Sequence, residues 1–179
     1  MKEKQPTSRK VSRTGKAKKA SMKDLIADLS SKDSIVRIKA RKSLVSRKQQ
    51  AVPALVKALS SKNQWVRWEA AKALSQIHDP ASVEGLIGAL SDKTFDVRWL
   101  AAEGLIAIGR KSLVPLLRAL INNPDSVEIR EGTHHVLHDM SGGTTKKILR
   151  PVLNALESME APLEAPLAAK SALEALDNV

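Results

Sequence analysis

The stretch WVRWEAAKAL at residues 65–74 decides the fold of this chain, because variants of it return at a nearly constant spacing. IVRIKARKSL precedes it at residues 35–44, DVRWLAAEGL follows at residues 96–105, and a looser copy, EIREGTHHVL, stands at residues 128–137. The arginines of the four copies are 30, 31 and 32 residues apart: Arg37, Arg67, Arg98 and Arg130. Four matches at one period indicate internal repeats of a single structural unit.

Each repeat has the pattern of two helices joined by a tight polar turn. The segment before each Val-Arg word is apolar at helical spacing and closes on a leucine. Asp79-Pro80 suits a helix N-cap and first helical position, and Gly109 suits a helix end. We predict repeats at about residues 22–48, 51–78, 80–109 and 112–140, with a disordered basic tail over 1–20 and a degenerate, capping helix pair over 141–179.

The composition favours helices over a sheet. Among 179 residues there is no tyrosine, one phenylalanine and three tryptophans, so the core must be built from leucine, isoleucine, valine and alanine. Aromatic residues are typical of strands, whereas leucine and alanine favour helices. We therefore predict an all-α fold, an α-solenoid of about four helix pairs plus a divergent C-terminal pair.

The repeat unit resembles a known family. A length of about 30 residues, a polar turn, and Val-Arg followed by an alanine-rich helix are similar to HEAT-like repeats of the short, phycobilisome-lyase type. The resemblance covers roughly residues 22–140. It implies an α-solenoid whose second helices line the concave surface. It implies no single activity, because scaffolds, lyases and glycosylases share this design.

The positive charge is concentrated at one end of the chain. Residues 1–50 contain sixteen lysines and arginines and four acidic residues, whereas residues 51–179 contain fourteen and fifteen. Such a segment is either a solubilising tail or an arm that follows the phosphates of a polyanion, and we favour nucleic acid. The tail residues predicted to contact it are Arg9, Lys10, Arg13, Lys16, Lys18 and Lys19.

Several classes of protein are disfavoured by what the sequence lacks. The absence of cysteine excludes disulfides, thiolate metal sites and a cysteine nucleophile. The first ten residues lack the apolar segment of a secretory signal, and no apolar run reaches the length of a membrane span. We expect a soluble cytoplasmic protein with no membrane partner, no cofactor and no evident small-molecule substrate.

A helical-wheel projection indicates which residues line the groove. With Val66 at zero, Trp68 falls at about 200° and Lys72 at about 240°, opposite the apolar face. The same projection applied to every repeat predicts a groove made by Ile38, Arg41, Lys42, Trp68, Lys72, Trp99 and Glu103, with Glu131, His134, His135 and His138 from the fourth repeat. Trp68 and Trp99 are either packing between helices or a platform for bases or for apolar side chains of a partner.

Two other sets of residues have structural interpretations. The family resemblance implies that the four repeat arginines form a ladder of contacts with turn acids such as Asp33, Asp92 or Asp125. Trp65 and Phe95 stand at the turns, where we expect local packing. The repeat arginines are therefore poor functional candidates.

A histidine cluster in REGTHHVLHDM, residues 130–140, is the one candidate for a metal. His134 and His138 share a helix face, and Glu131 lies one turn before His134. Histidines at this spacing are more often a packed or solvated face, and no His-Glu-x-x-His word is present. We therefore predict no metal, with these three residues as the alternative.

Three functions remain open at this stage. The first is a non-enzymatic scaffold that grips a partner in its groove, with the basic tail favouring nucleic acid. The second is a protein–protein adaptor with no nucleic-acid role. The third is an enzyme similar to the HEAT-like alkylpurine glycosylases, for which Glu103 and Glu131 are the available groove carboxylates.

Overall fold

A computed structural model describes residues 20–176, apart from the side chain of Thr144, and the regular structure of this part is helical throughout. Its helices are α1 (Met22–Asp28), α2 (Ser34–Val45), α3 (Val52–Ala58), α4 (Gln64–Ile77), α5 (Val83–Ala89), α6 (Phe95–Ile108), α7 (Leu113–Asn122), α8 (Val127–Met140), α9 (Lys146–Leu156) and α10 (Ala161–Leu176). None of the described helices is long and apolar enough to cross a lipid bilayer.

Polar residues in the turns start the second helix of each pair. The Asp33 carboxylate accepts a hydrogen bond from the backbone N–H of Ile35 at 2.8 Å, and the Asn63 side chain accepts one from Trp65 at 2.9 Å. These caps satisfy backbone donors that a helix leaves free at its N-terminus. Ser126 caps α8 in the same way, whereas Thr94 before α6 makes no side-chain cap bond, so the polar turn fixes the start of three of these four second helices.

The first eight helices form four consecutive pairs stacked as an α-solenoid. The leucines that close the first helices, Leu29, Leu59, Leu90 and Leu120, are all buried. Second helices of neighbouring pairs contact each other more extensively than first helices do. The second helices α2, α4, α6 and α8 therefore line the inner, concave side of the stack.

The repeat arginines join the turns to these second helices. The guanidinium of Arg67 donates to the backbone carbonyls of Ser61 and Lys62, and it holds the Asp92 carboxylate of the next turn through Nε, at 2.6 Å, and Nη2, at 3.1 Å. Arg37 and Arg98 likewise donate to carbonyls of the preceding turn. The predicted ladder is confirmed at Arg67 and Asp92. In the first repeat, however, Asp33 caps α2, and Arg37 forms an ion pair with Glu69 of α4.

The last two helices pack in inverted order. In the preceding pairs each first helix contacts the next first helix, whereas here α9 contacts α8 and α10 contacts α7. The face of α10 that packs inward is made of alanines, which allow close approach of helices: Ala161, Ala165, Ala169 and Ala172. Leu163 and Leu167, on the opposite face of α10, are exposed.

Candidate functional site

An apolar ridge runs along the concave side. Every exposed large hydrophobic side chain in α1–α8 lies near the start of a second helix: Ile35, Ile38, Trp65, Phe95, Trp99 and Val127. Packed helices lie about 8–10 Å apart, so a ridge across four of them extends about 25–30 Å. We call these six residues the apolar ridge. A row of this length is too regular to be scattered surface hydrophobicity.

Arginines hold the rings of the ridge in place. The Arg37 guanidinium lies 4.5 Å from the centre of the Trp65 ring, and the Arg98 guanidinium lies 5.4 Å from that of Phe95. Because these arginines are anchored to turn carbonyls, the rings rest on fixed cations. The expectation of local packing at Trp65 and Phe95 is therefore incomplete, since the two side chains are also 46% and 61% exposed.

The predicted groove residues fall into two environments. Ile38, Lys42 and Trp99 are exposed on the concave side. Trp68 and Lys72 are half-buried, and the guanidinium of Arg41 lies 5.7 Å from the centre of the Trp68 ring. The tryptophans of the second and third pairs thus differ, although they occupy equivalent positions.

A buried glutamate explains part of this difference. Glu69 is only 2% exposed, and its two oxygens face Arg37, at 3.4 Å, and Arg41, at 2.9 Å. Two arginines and one carboxylate therefore share the interface between α2 and α4. Sequence reasoning missed Glu69, although its place three residues after the core residue Val66 puts it on the packed side of α4.

A cleft opens between α6 and α8. The Trp99 ring lies 4.5 Å from the His135 ring, centre to centre, and His135 Nε2 is 3.1 Å from the Glu103 carboxylate. Phe95 is 6.4 Å from Trp99, so both rings border the same opening. The cleft measures about 290 Å³ and is lined by Phe95, Arg98, Trp99, Ala102, Glu128, Glu131, Gly132 and His135.

The α8 side of the cleft carries two carboxylates, Glu128 and Glu131. The pKa of Glu128 is lowered, first by a hydrogen bond from its own backbone N–H in the first turn of α8, then by the Ser126 hydroxyl and by the charges of Arg98 and Arg130. Glu128 is therefore ionised at neutral pH. Glu131 has no ion pair or hydrogen bond to any side chain within residues 20–176.

The histidines do not assemble a metal site. His134 Nε2 contacts the Glu157 carboxylate at 2.9 Å, and the His134 and His138 rings stack at 6.1 Å. Glu131 lines the cleft instead of joining them. Within residues 20–176, no three side chains of the metal-binding types lie close enough to hold an ion.

The predicted polyanion-binding residues Arg9, Lys10, Arg13, Lys16, Lys18 and Lys19 lie outside the described part of the chain. The basic residues that the structure describes in the first 50 positions belong to the first helix pair and the turn after it. Here Lys39 and Lys42 are exposed on α2. Arg47 donates to the backbone carbonyl of Ala20.

Comparison with known families agrees with this architecture. Residues 22–98, from the start of α1 into α6, match the family model described as HEAT repeats. This protein contains HEAT-like repeats. The match leaves the phycobilisome-lyase type of repeat as a prediction. A search of curated proteins found no match to the chain.

Proposed function

We propose that this HEAT-like protein is a non-enzymatic binding module that holds a partner protein along its concave side. HEAT-like arrays in general mediate protein binding or scaffolding, with their curved inner surface as the contact area. The single observation that carries the proposal is the apolar ridge, since it places all exposed large hydrophobic side chains of α1–α8 in one row.

The ridge has the properties of a protein interface. Aromatic side chains are typical anchors of such interfaces, because they bury a large area at low cost in conformational entropy. Trp65 and Phe95 are held by arginines before any partner arrives, so less freedom is lost on binding. A helix or an extended segment of a partner has the length to cross several pairs.

Nucleic acid is the second candidate, and the charge of the first 50 residues favours it. The contact would be confined to that end of the molecule. At the other end, Glu103, Glu128 and Glu131 stand beside the exposed rings of the third pair, where their charges repel phosphates. A polyanion would therefore meet Lys39 and Lys42 on α2 and the basic residues that precede Ala20.

Affinity capture with matched variants tests the protein-binding proposal. The ridge variant carries Ile35→Ser and Trp65→Ser, and the control variant carries Leu163→Ser and Leu167→Ser, which remove exposed apolar side chains from α10. We expect at least one protein from the source cells to be captured equally by wild type and control and about five-fold less by the ridge variant. Equal capture by all three folded proteins would refute the role of the ridge.

A fluorescence titration tests the second candidate. The signal comes from three tryptophans, since the chain has no tyrosine. Single- and double-stranded DNA and RNA are added at low and moderate salt to wild type and to a Lys39→Gln, Lys42→Gln variant. Nucleic-acid binding predicts a saturable change that weakens with salt and in the variant. No change at low salt removes this candidate and leaves the ridge unaffected.

A further inference from the structure

The cleft between α6 and α8 lies beside small residues at the two positions that hold an ion pair between α2 and α4. Between α2 and α4, Arg41 lies four residues after the repeat arginine Arg37, and Glu69 lies two residues after the repeat arginine Arg67. The side chains of Arg41 and Glu69 form an ion pair that fills the space between the two helices. At the α6–α8 interface the equivalent positions hold Ala102 and Gly132. Leu90 packs against Gly132, and no guanidinium or carboxylate stands at these two positions; the cleft of about 290 Å³ opens beside them.

The surroundings of this space are suited to a cation. Two exposed aromatic rings, Phe95 and Trp99, border it on the α6 side, and two carboxylates, Glu128 and Glu131, border it on the α8 side. The one permanent cation in its lining, Arg98, is already engaged with the Phe95 ring and with the backbone carbonyl of Asp92. Glu131 is left without a counterion among the described residues.

We propose that this cleft receives an arginine side chain presented by the partner polypeptide, in the place that the chain's own Arg41 takes between α2 and α4. This inference rests on the proposed protein-binding function and specifies the chemistry of the partner. A planar guanidinium can lie against an aromatic ring and bind a carboxylate at the same time. Arg41 does both, with the Trp68 ring and the Glu69 carboxylate.

The same geometry discriminates against other groups. A phosphate or carboxylate would meet the ionised Glu128 and the carboxylate of Glu131, and like charges repel each other. A purely apolar side chain would contact the rings but desolvate the carboxylates without compensation. A lysine ammonium would bind more weakly, because it lacks the planar group that stacks on a ring.

A peptide titration of the full chain, followed by NMR, tests the inference. The probe is acetyl-Gly-Arg-Gly-amide, and the matched probe replaces arginine by citrulline, which has nearly the same shape and no charge. The indole N–H signals of Trp65, Trp68 and Trp99 are assigned with single Trp→Phe variants. We expect the arginine probe to shift the Trp99 signal saturably, while the citrulline probe binds at least about ten-fold more weakly.

Two variants connect the shift to the cleft. Glu131→Gln, at an exposed position, should weaken binding of the arginine probe about five-fold, whereas Glu84→Gln, exposed on α5, should leave it unchanged. Ala102→Arg supplies an internal guanidinium at the position equivalent to Arg41 and should abolish binding. Since Ala102 is buried, Glu131→Gln decides the matter if the arginine variant does not fold.

The outcomes separate this inference from the proposed function. Equal shifts with the citrulline probe, no shift of Trp99, or a shift that Glu131→Gln does not weaken would each overturn the arginine site. The ridge variant at Ile35 and Trp65 alters neither Phe95 nor any other residue of the cleft. Loss of partner capture by that variant, together with a failed peptide titration, would keep the binding function and reject the arginine site.

Discussion

Replacing Arg67 by methionine tests whether the repeat arginines hold the solenoid together. Methionine keeps most of the length of the side chain and removes the guanidinium. Arg67 then loses its two bonds to the Asp92 carboxylate and its bonds to the carbonyls of Ser61 and Lys62. The matched variant is Arg98→Met, because Arg98 occupies the same position one repeat later and donates to one carbonyl, that of Asp92.

The structure indicates that the two substitutions lower the free energy of unfolding by different amounts. The side chains of Arg67 and Asp92 are 5% and 8% exposed, so Arg67→Met leaves a nearly buried carboxylate without its cation. Breaking such a pair costs about 3–5 kcal/mol, and we take about 3 kcal/mol because Asp92 keeps a hydrogen bond from the Thr94 N–H. Arg98→Met removes one hydrogen bond and the contact with the exposed Phe95 ring, together worth about 1–2 kcal/mol.

Thermal and urea unfolding measure the difference. In a chain of this size 1 kcal/mol lowers Tm by about 2–4 °C, so we expect a decrease of about 6–12 °C for Arg67→Met and about 2–8 °C for Arg98→Met. Circular dichroism and tryptophan fluorescence should give coincident transitions, since repeat arrays can unfold in parts. Equal effects of the two substitutions would refute the assignment of a central stabilising role to the Arg67–Asp92 pair.

Three further results are expected. Burial raises the pKa of Asp92, but hydrogen bonds from Arg67 and Thr94 outweigh it, so the pKa is lowered in the folded protein. The contribution of Asp92 to stability is therefore present above about pH 4 and is lost as the pH falls through the lower pKa of the folded state. The difference in unfolding free energy between wild type and Asp92→Asn should therefore shrink between about pH 5 and pH 2, and a constant difference in urea titrations would contradict this. Glu69→Gln should destabilise the fold by about 2 kcal/mol, because two arginines lose their carboxylate, while the exposed Glu84→Gln control should stay within about 0.5 kcal/mol. Gly104→Ala should lower the free energy of unfolding by about 1–3 kcal/mol, since the new Cβ would lie 2.9 Å from a methyl group of Leu86 in α5. Gly88→Ala should raise it by about 0.5–1 kcal/mol, because a Cβ at this helical position meets nothing within 4 Å. The reverse order of melting temperatures would refute the packing argument.

The helical architecture was predictable because its signals are local. A polar residue caps α2, α4 and α8 through its own side chain, as Asn63 does for α4, whereas Thr94 before α6 makes no such bond. The leucine that closes each first helix is buried in every repeat. Both signals recur every 30 or so residues, so each copy supports the interpretation of the others. The fold class followed from this repetition, whereas the concave placement of the second helices was implied by the resemblance to HEAT-like repeats.

The candidate site was predictable only in part. The wheel projection places Ile38 and Trp99 on the concave side, where the structure has them exposed. It treats Trp68 as equivalent to Trp99, because a projection of one helix contains no information about the neighbouring helix. Arg41 on α2 reaches Trp68 and Glu69, so the environment of that tryptophan depends on a residue 27 positions earlier. The inverted packing of α9 and α10 also depends on contacts between distant segments.

The amino-acid sequence by itself determined that this chain forms an all-α solenoid with HEAT-like repeats, because capping residues and apolar periodicity act within a single helix pair. Tertiary structure decided where equivalent positions of different repeats have different surroundings. Between α2 and α4 a buried Arg41–Glu69 pair closes the interface, whereas between α6 and α8 alanine and glycine leave a cleft beside Trp99. The reason is that a side chain's exposure depends on what the adjacent helix places against it, and only packing brings those two residues together.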